Sequence, residues 1–204
     1  VELAVEHLNF GYPGVPLFDD FDFSCAASRI MVRGPSGCGK TTLLKLVAGV
    51  QAAPQGARIV AAEPLFIVLQ NDGLVPWLSG RRNFQLFSED LWERVLASEL
   101  FAMIAPFVER RACDMSHGQR RSVELVRALL SDKALLLLDE PLNFLDRDRR
   151  ESFLAYMRDD RRCRSQILMT SHYEDSAVFG SGAAFEFTGE APFRRLTEVA
   201  HANG

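Results

Sequence analysis

The stretch "RIMVRGPSGCGKTTLLKLVAGV", residues 29–50, decides how the rest of the chain must be read. "RIMVRG" is a short apolar run suited to a buried strand, and "KTTLLKLVAGV" has helical character. Between them "GPSGCGKT", 34–41, fits the spacing G-x-x-x-x-G-K-[ST] in the strand-then-helix context that this spacing requires. Gly34, Gly37 and Gly39 let the main chain turn tightly and aim its N–H groups at phosphate oxygens, with Pro35, Ser36 and Cys38 completing the loop. The helix N-terminus adds a favourable dipole. Lys40 is expected to reach the β- and γ-phosphates of a nucleotide and the Thr41 hydroxyl to bind Mg²⁺, with Thr42 extending the same cradle. With Gly at about 7% of residues, a chance match somewhere in such a chain is on the order of 1%, so the phosphate reading outweighs that of an accidental Gly-rich turn. Cys38 needs no chemical role; beside Lys40 it is expected to be an alkylation-sensitive thiol.

Outward from this stretch, "VELAVEHL" and "FDDFDFSC" alternate apolar and polar residues and are joined by the turn-rich "GYPGVP". They predict an antiparallel β layer. "PLFIVLQ", "ALLLLDE" and "SQILMTS" read as apolar strands, and "AAFEF" as a weaker one. Helical patterns fill 80 to about 104, with Ser88 as expected N-cap before Glu89 and Asp90. They recur after Gly118, with Val123, Val126 and Leu130 on one stripe, and over about 147–158. Strands alternating with helices require a parallel sheet with crossover helices. The predicted architecture is therefore α/β: a P-loop NTPase core with a mainly parallel sheet, an N-terminal antiparallel β layer, and a helical subdomain inserted at about 80–116. All of it belongs to a single domain spanning 1–204.

Composition narrows the function classes. The formal net charge is −4, so there is no basic footprint for nucleic acid. Four cysteines, none in a CxxC pair, argue against a zinc site or a disulfide framework and fit a reducing cytosol. The purest apolar run, "ALLLL" at 134–138, is far below the roughly 20 residues that span a bilayer. The chain starts at Val1, without Met or a signal-peptide pattern, so a few preceding residues are expected to be missing.

"LLLLDE" ends an apolar strand with adjacent carboxylates, Asp139 and Glu140. Ligands of parallel sheets sit at the carboxyl ends of strands. Asp139 is expected to hold Mg²⁺ and Glu140 to polarise an attacking water. An ordinary strand ending in solvated acids is the competing reading, and the phosphate loop weighs against it.

Taken in order, "FGYPG", "GPSGCGKT", "VLQNDG", "MSHGQRR", "LLLLDEPLNFLD" and "TSHYEDSA" resemble the ATP-binding cassette (ABC) ATPase family over most of the chain. The resemblance implies roles residue by residue. Tyr12 resembles the aromatic that stacks on adenine. Gln70 resembles the glutamine that contacts Mg²⁺ or the attacking water and senses the membrane partner. Asp146 resembles the aspartate that communicates across a dimer, and His172 the histidine that contacts the γ-phosphate. The family's cassettes pair head to tail, so the resemblance implies a second copy of this chain, or a homologous cassette, closing over ATP.

"MSHGQ" lies where the family's Leu-Ser-Gly-Gly-Gln signature belongs. Met115 conserves volume, Ser116 keeps the hydroxyl for a γ-phosphate on the opposite subunit, and Gly118 and Gln119 are kept. His117 departs, and a positive φ there is strained for any residue but glycine. The competing reading is a helix merely capped by Ser116. Phe144 stands on a dimer-facing loop where the family has a small residue, and the segment between Val60 and Gln70 is short for the family.

"QNDGLVPWLSGRRNF" resembles the segment after the glutamine in importers of the nitrate, sulfonate and taurine type. Trp77 then lies near the groove that receives the permease, or else is a core or hinge residue of the helical insert. The implied protein is an ATPase subunit that binds and hydrolyses ATP with Mg²⁺. It is expected to be cytoplasmic, peripheral on the inner membrane face, and to drive a separate integral membrane permease. A soluble non-transport ABC ATPase and a regulatory cassette with little turnover are the alternatives, the latter suggested by His117.

Overall fold

Alternation at the start of the chain builds a hairpin. In the computed structural model, which describes residues 2–171 and 182–199, β1 (Leu3–Tyr12) and β2 (Val15–Cys25) pair antiparallel, with Tyr12 opposite Val15 and Gly14 at φ +75° in the turn. Phe21, Asp22 and Phe23 alternate buried and exposed, while an irregularity at Asp20 (φ +46°) exposes both Asp19 and Asp20 and returns Phe18 to the buried face of Phe21. β3 (Arg29–Arg33) leads into the glycine loop and α1 (Lys40–Val47). β4 (Arg58–Val60) adds to the free side of β1, completing a sheet of order β2-β1-β4.

The second sheet uses β3 with β5 (Leu65–Val68), β6 (Leu135–Leu138), β7 (Gln166–Ser171), β8 (Ala183–Thr188) and β9 (Arg195–Glu198), in the order β5-β6-β7-β3-β8-β9. β3 pairs parallel with β7 and β8, and β6 with β7; β9 returns antiparallel along β8. All of β6 and β7 is buried, which is why these strands read as apolar runs without alternation. The apolar side chains between the two sheets and α1, among them Leu3, Phe21, Ile30, Leu43, Leu44 and Leu168, form one core. Fully burying each contributes about 1.5–3 kcal/mol.

The chain divides into two compact units. The first is Val1–Ile67 with Lys133–Glu140 and Ser165–Gly204; the second is Val68–Asp132 with Pro141–Arg164. The second holds α2 (Gly80–Gln85), α3 (Glu89–Ala97), α4 (Phe101–Ile104), α5 (His117–Leu129) and α6 (Arg147–Arg158). The helical pattern over 80–104 is thus three short helices rather than one. Ser88 occupies the N-cap of α3 but makes no side-chain cap bond; the working cap in this region is Ser79, which accepts the Arg82 N–H at 3.2 Å. Asn83 is wholly buried on α2. It accepts the Val75 N–H at 2.7 Å and donates to the Val75 and Ser79 carbonyls, fixing the loop that carries Trp77. Trp77 itself is 71% exposed, so it is no core residue. Among the described residues no helix is long and apolar enough to cross a membrane.

Candidate active site

The loop between β3 and α1 is shaped by close approach. Gly39 has φ +108°, and a Cβ there would stand 2.8 Å from Cζ of Phe18. Only glycine satisfies both conditions. Lys40, buried at the start of α1, donates from Nζ to the carbonyls of Gly34 (2.8 Å) and Pro35 (3.2 Å) and lies 3.5 Å from Glu140 Oε1. Pro35, Ser36 and Gly37 line the exposed rim, and Arg194, beyond β8, donates to the Gly37 carbonyl at 3.0 Å. Cys38 turns inward instead. Burial pushes its thiol up, outweighing the pull of the Lys40 charge, so the expected alkylation sensitivity does not fit the folded chain.

Opposite the loop, Asp139 and Glu140 directly follow β6. Asp139 is wholly buried: its Oδ2 accepts the Thr41 hydroxyl at 2.6 Å and its Oδ1 accepts the Thr170 hydroxyl at 2.7 Å. Neighbouring side chains on a regular strand point to opposite faces. Here Asp139 meets Thr41 and Glu140 meets Lys40, so both carboxylates serve the same loop. The alternation is broken at Glu140, whose φ is +47°, a conformation uncommon for any residue but glycine. The Glu140 N–H donates to Thr170 Oγ1 at 2.9 Å, so one hydroxyl braces both acidic residues. Thr41 and Asp139 offer hydroxyl and carboxylate oxygens, the hard donors Mg²⁺ takes, and the residues therefore fit that ion.

Tyr12 ends β1 and is 44% exposed. It packs edge-on against Phe10 at 5.3 Å, and its hydroxyl lies 3.3 Å from Thr42 Oγ1.

The signature residues and the glutamine segment belong to the second unit. Ser116 caps α5 by accepting the Gln119 N–H at 3.3 Å, and Gln119 Oε1 accepts the Ser116 N–H at 3.0 Å. This capping box uses the hydroxyl oxygen as acceptor and leaves its proton to donate. His117 is the first helical residue and has no positive φ, so the strain considered for it does not arise. Its ring packs against that of Phe144 at a tilt of 43°, 4.8 Å between centroids, and its Nδ1 is 4.0 Å from Asp72. Gly118 is held glycine by the main chain: a Cβ would come within 2.5 Å of the Phe144 carbonyl oxygen. Phe144 is exposed and at φ +67°. Asp146 caps α6 through the Arg149 N–H at 2.9 Å. Gln70 is exposed, and its carbonyl accepts from Arg121. His172 lies outside the described residues.

Sequence reading passed over Thr170, whose only signal is its place in the strand beside β6. It also passed over Arg121, Glu124 and Arg127, buried charges on a helix whose apolar stripe alone had been read.

Comparison with known proteins places the chain in a family. The family model described as "ABC transporter" matches residues 18–143. The taurine import ATP-binding protein TauB of Escherichia coli O6:K15:H31 is 34% identical over 196 residues, covering 87% of this chain and 76% of that protein. TauB of Shigella flexneri is 32% identical over 195 residues with the same coverage. Two solved structures share the fold. One is an ABC transporter ATP-binding protein from Pyrococcus furiosus, with TM-score 0.70, 19% identity, and 85% of this chain and 92% of that one covered. The other is an ABC transporter ATP-binding subunit, with TM-score 0.78, 18% identity and 98% and 90% covered. A glycine loop carrying Lys40 and Thr41 against Asp139 and Glu140, within a matching family model and beside relatives of this identity, makes the chain a member of the ABC transporter family and an ATPase.

Proposed function

We propose that this chain is the ATP-hydrolysing subunit of a bacterial importer and drives a separate integral membrane permease from the cytoplasmic face. Two copies, or one copy and a homologous cassette, close head to tail over ATP and reopen after hydrolysis. The observation that carries the reading is the pairing of Lys40 and Thr41 with Glu140 and Asp139 at 3.5 and 2.6 Å. Similarity to proteins named for taurine import favours import over export. Solute choice belongs to the permease and binding protein, not to this chain.

In this reading adenine stacks on Tyr12 and the phosphates lie in the cradle of 34–42. Lys40 leaves the Gly34 and Pro35 carbonyls for the β- and γ-phosphates. Thr41 and Asp139, with Gln70 as the family resemblance implies, would hold Mg²⁺, which would neutralise charge on the phosphate oxygens. Glu140 orients the attacking water and accepts its proton as the bond from water oxygen to the γ-phosphorus forms and that to the bridging oxygen breaks. His172 contacts the γ-phosphate. Ser116, Gly118 and Gln119 meet the γ-phosphate bound by the opposite copy, and Asp146 communicates across that interface.

Turnover and light scattering of two variants test the proposal. Lys40→Ala should abolish hydrolysis and weaken ATP binding. Glu140→Gln should bind ATP, lose about 10²–10⁴-fold in rate, and accumulate as a dimer with saturating ATP. A Glu140→Gln protein that hydrolyses ATP at the wild-type rate removes the general base from the scheme. The exposed His117–Phe144 pair beside Ser116 favours one second reading, a regulatory cassette, which a wild-type rate near background would select.

A further inference from the structure

The charged side chains of α5 converge on the main chain of 69–73, the segment that carries Gln70. Arg121 donates from Nη1 to the Leu69 carbonyl and from Nη2 to the Gln70 carbonyl, both at 2.8 Å. Arg127 donates to the Gly73 carbonyl at 3.0 Å, and the Gly73 N–H donates to Glu124. Glu124 lies 3.1 Å from Arg121. Arg120 donates to Asp72 at 2.7 Å and also to the Met115 carbonyl. Arg121, Glu124 and Arg127 are buried, and taking three charges out of water is unfavourable unless they are well bonded. A helix that needed only to pack would place apolar residues there. These charges are spent on carbonyl and amide groups of one irregular segment, which has no strand ladder to fix it. The forked guanidinium suits the task, since a single planar group spans two successive carbonyls.

We propose that Arg121, with Glu124 and Arg127, is a positioning residue for Gln70: the helix that opens with Ser116 sets the main-chain course of the glutamine segment and thereby the aim of the Gln70 side chain. The inference rests on the catalytic role given above to Gln70. It ties two motifs, separate in sequence and both on the second unit, to one rigid support. Ser116 begins α5, and Arg121 projects from its second turn, so the signature and the glutamine segment share a frame of reference.

A double-mutant cycle with Mg·ATP turnover tests this on the purified full chain. Arg121→Lys keeps the charge but replaces the fork with a point donor that cannot hold both carbonyls in the same way. It should lower kcat between about 10- and 100-fold, the penalty of a misplaced catalytic group, while KM for ATP stays within about twofold. Gln70→Ala should lower kcat as well, and adding Arg121→Lys to it should change kcat by less than about twofold, because the arginine acts through the glutamine. Additive losses, or an Arg121→Lys enzyme with wild-type kcat, overturn the inference and leave the role of Gln70 standing. A Gln70→Ala enzyme with wild-type kcat removes both. If Arg121→Lys does not fold, Arg127→Lys, which weakens the hold on the Gly73 carbonyl of the same segment, replaces it in the cycle, with the same non-additivity expected.

Discussion

Thr170 donates its hydroxyl proton to Asp139 Oδ1 across 2.7 Å, from the strand next to the one that Asp139 follows. Thr170 Oγ1 in turn accepts the Glu140 N–H at 2.9 Å. Thr170→Val keeps the shape and removes both bonds, leaving buried groups unpaired at about 1–3 kcal/mol each. We expect a lower melting temperature and at least a tenfold loss of turnover (about 1.4 kcal/mol of barrier). Thr170→Ser should recover most of both. A valine variant with wild-type rate and melting temperature would show the brace to be dispensable.

Tyr12→Ala should weaken ATP binding by about 1–3 kcal/mol, the worth of base–aromatic stacking. Tyr12→Phe should bind nearly as well as wild type, since the 3.3 Å contact to Thr42 is long for an O–H···O bond. Titration calorimetry with ATP and GTP checks both, and the two nucleotides should suffer alike.

At the signature, Gly118→Ala forces a Cβ to within 2.5 Å of the Phe144 carbonyl, and main chain must shift to relieve it. A loss of about 1–3 kcal/mol is expected, the usual cost of overpacking, read as a drop in melting temperature. His117→Gly should be milder in stability, costing up to about 1 kcal/mol of helix propensity, because His117 is helical already and nothing in its φ calls for glycine. Its turnover should hold near wild type. Loss of hydrolysis in that variant would mark His117 as a contact in the reaction.

Thiol labelling orders the cysteines by exposure. Cys113 is exposed and should react first; Cys38, buried and pushed up in pKa, should lag behind it and respond only at higher pH, where its thiolate forms. Mass spectrometry after brief alkylation gives the order. Preferential modification of Cys38 at neutral pH would contradict the packing described around it.

Much of this molecule is written in local pattern. The Phe21–Asp22–Phe23 alternation, the apolar runs of β6 and β7 and the charged helix Arg147–Arg158 take the form that their periodicity indicates, and only the irregularity at Asp20 departs from it. What escaped depends on neighbours far along the chain. β4 is three residues long and exists because β1 offers an unpaired side. β9, "RLTE", has no apolar face and is defined by pairing with β8. Thr170 becomes a site residue only once β7 lies beside β6, and Arg121 only once residues 69–73 lie along α5. Ser88 has the right residue type for a cap but makes no cap bond, whereas Ser79 does.

The capping box at Ser116 also bears on the entropy of association. A free serine side chain samples several rotamers, and fixing one is a cost that a ligand would have to meet at the moment of contact. In this chain the choice is made when α5 folds, because the Gln119 N–H already holds the hydroxyl oxygen in place. In the proposed dimer an incoming phosphate would meet a hydroxyl whose oxygen is placed beforehand. Replacing Ser116 by alanine then removes two things at once, a helix end and a pre-positioned hydroxyl, and only a residue that keeps the cap can separate them.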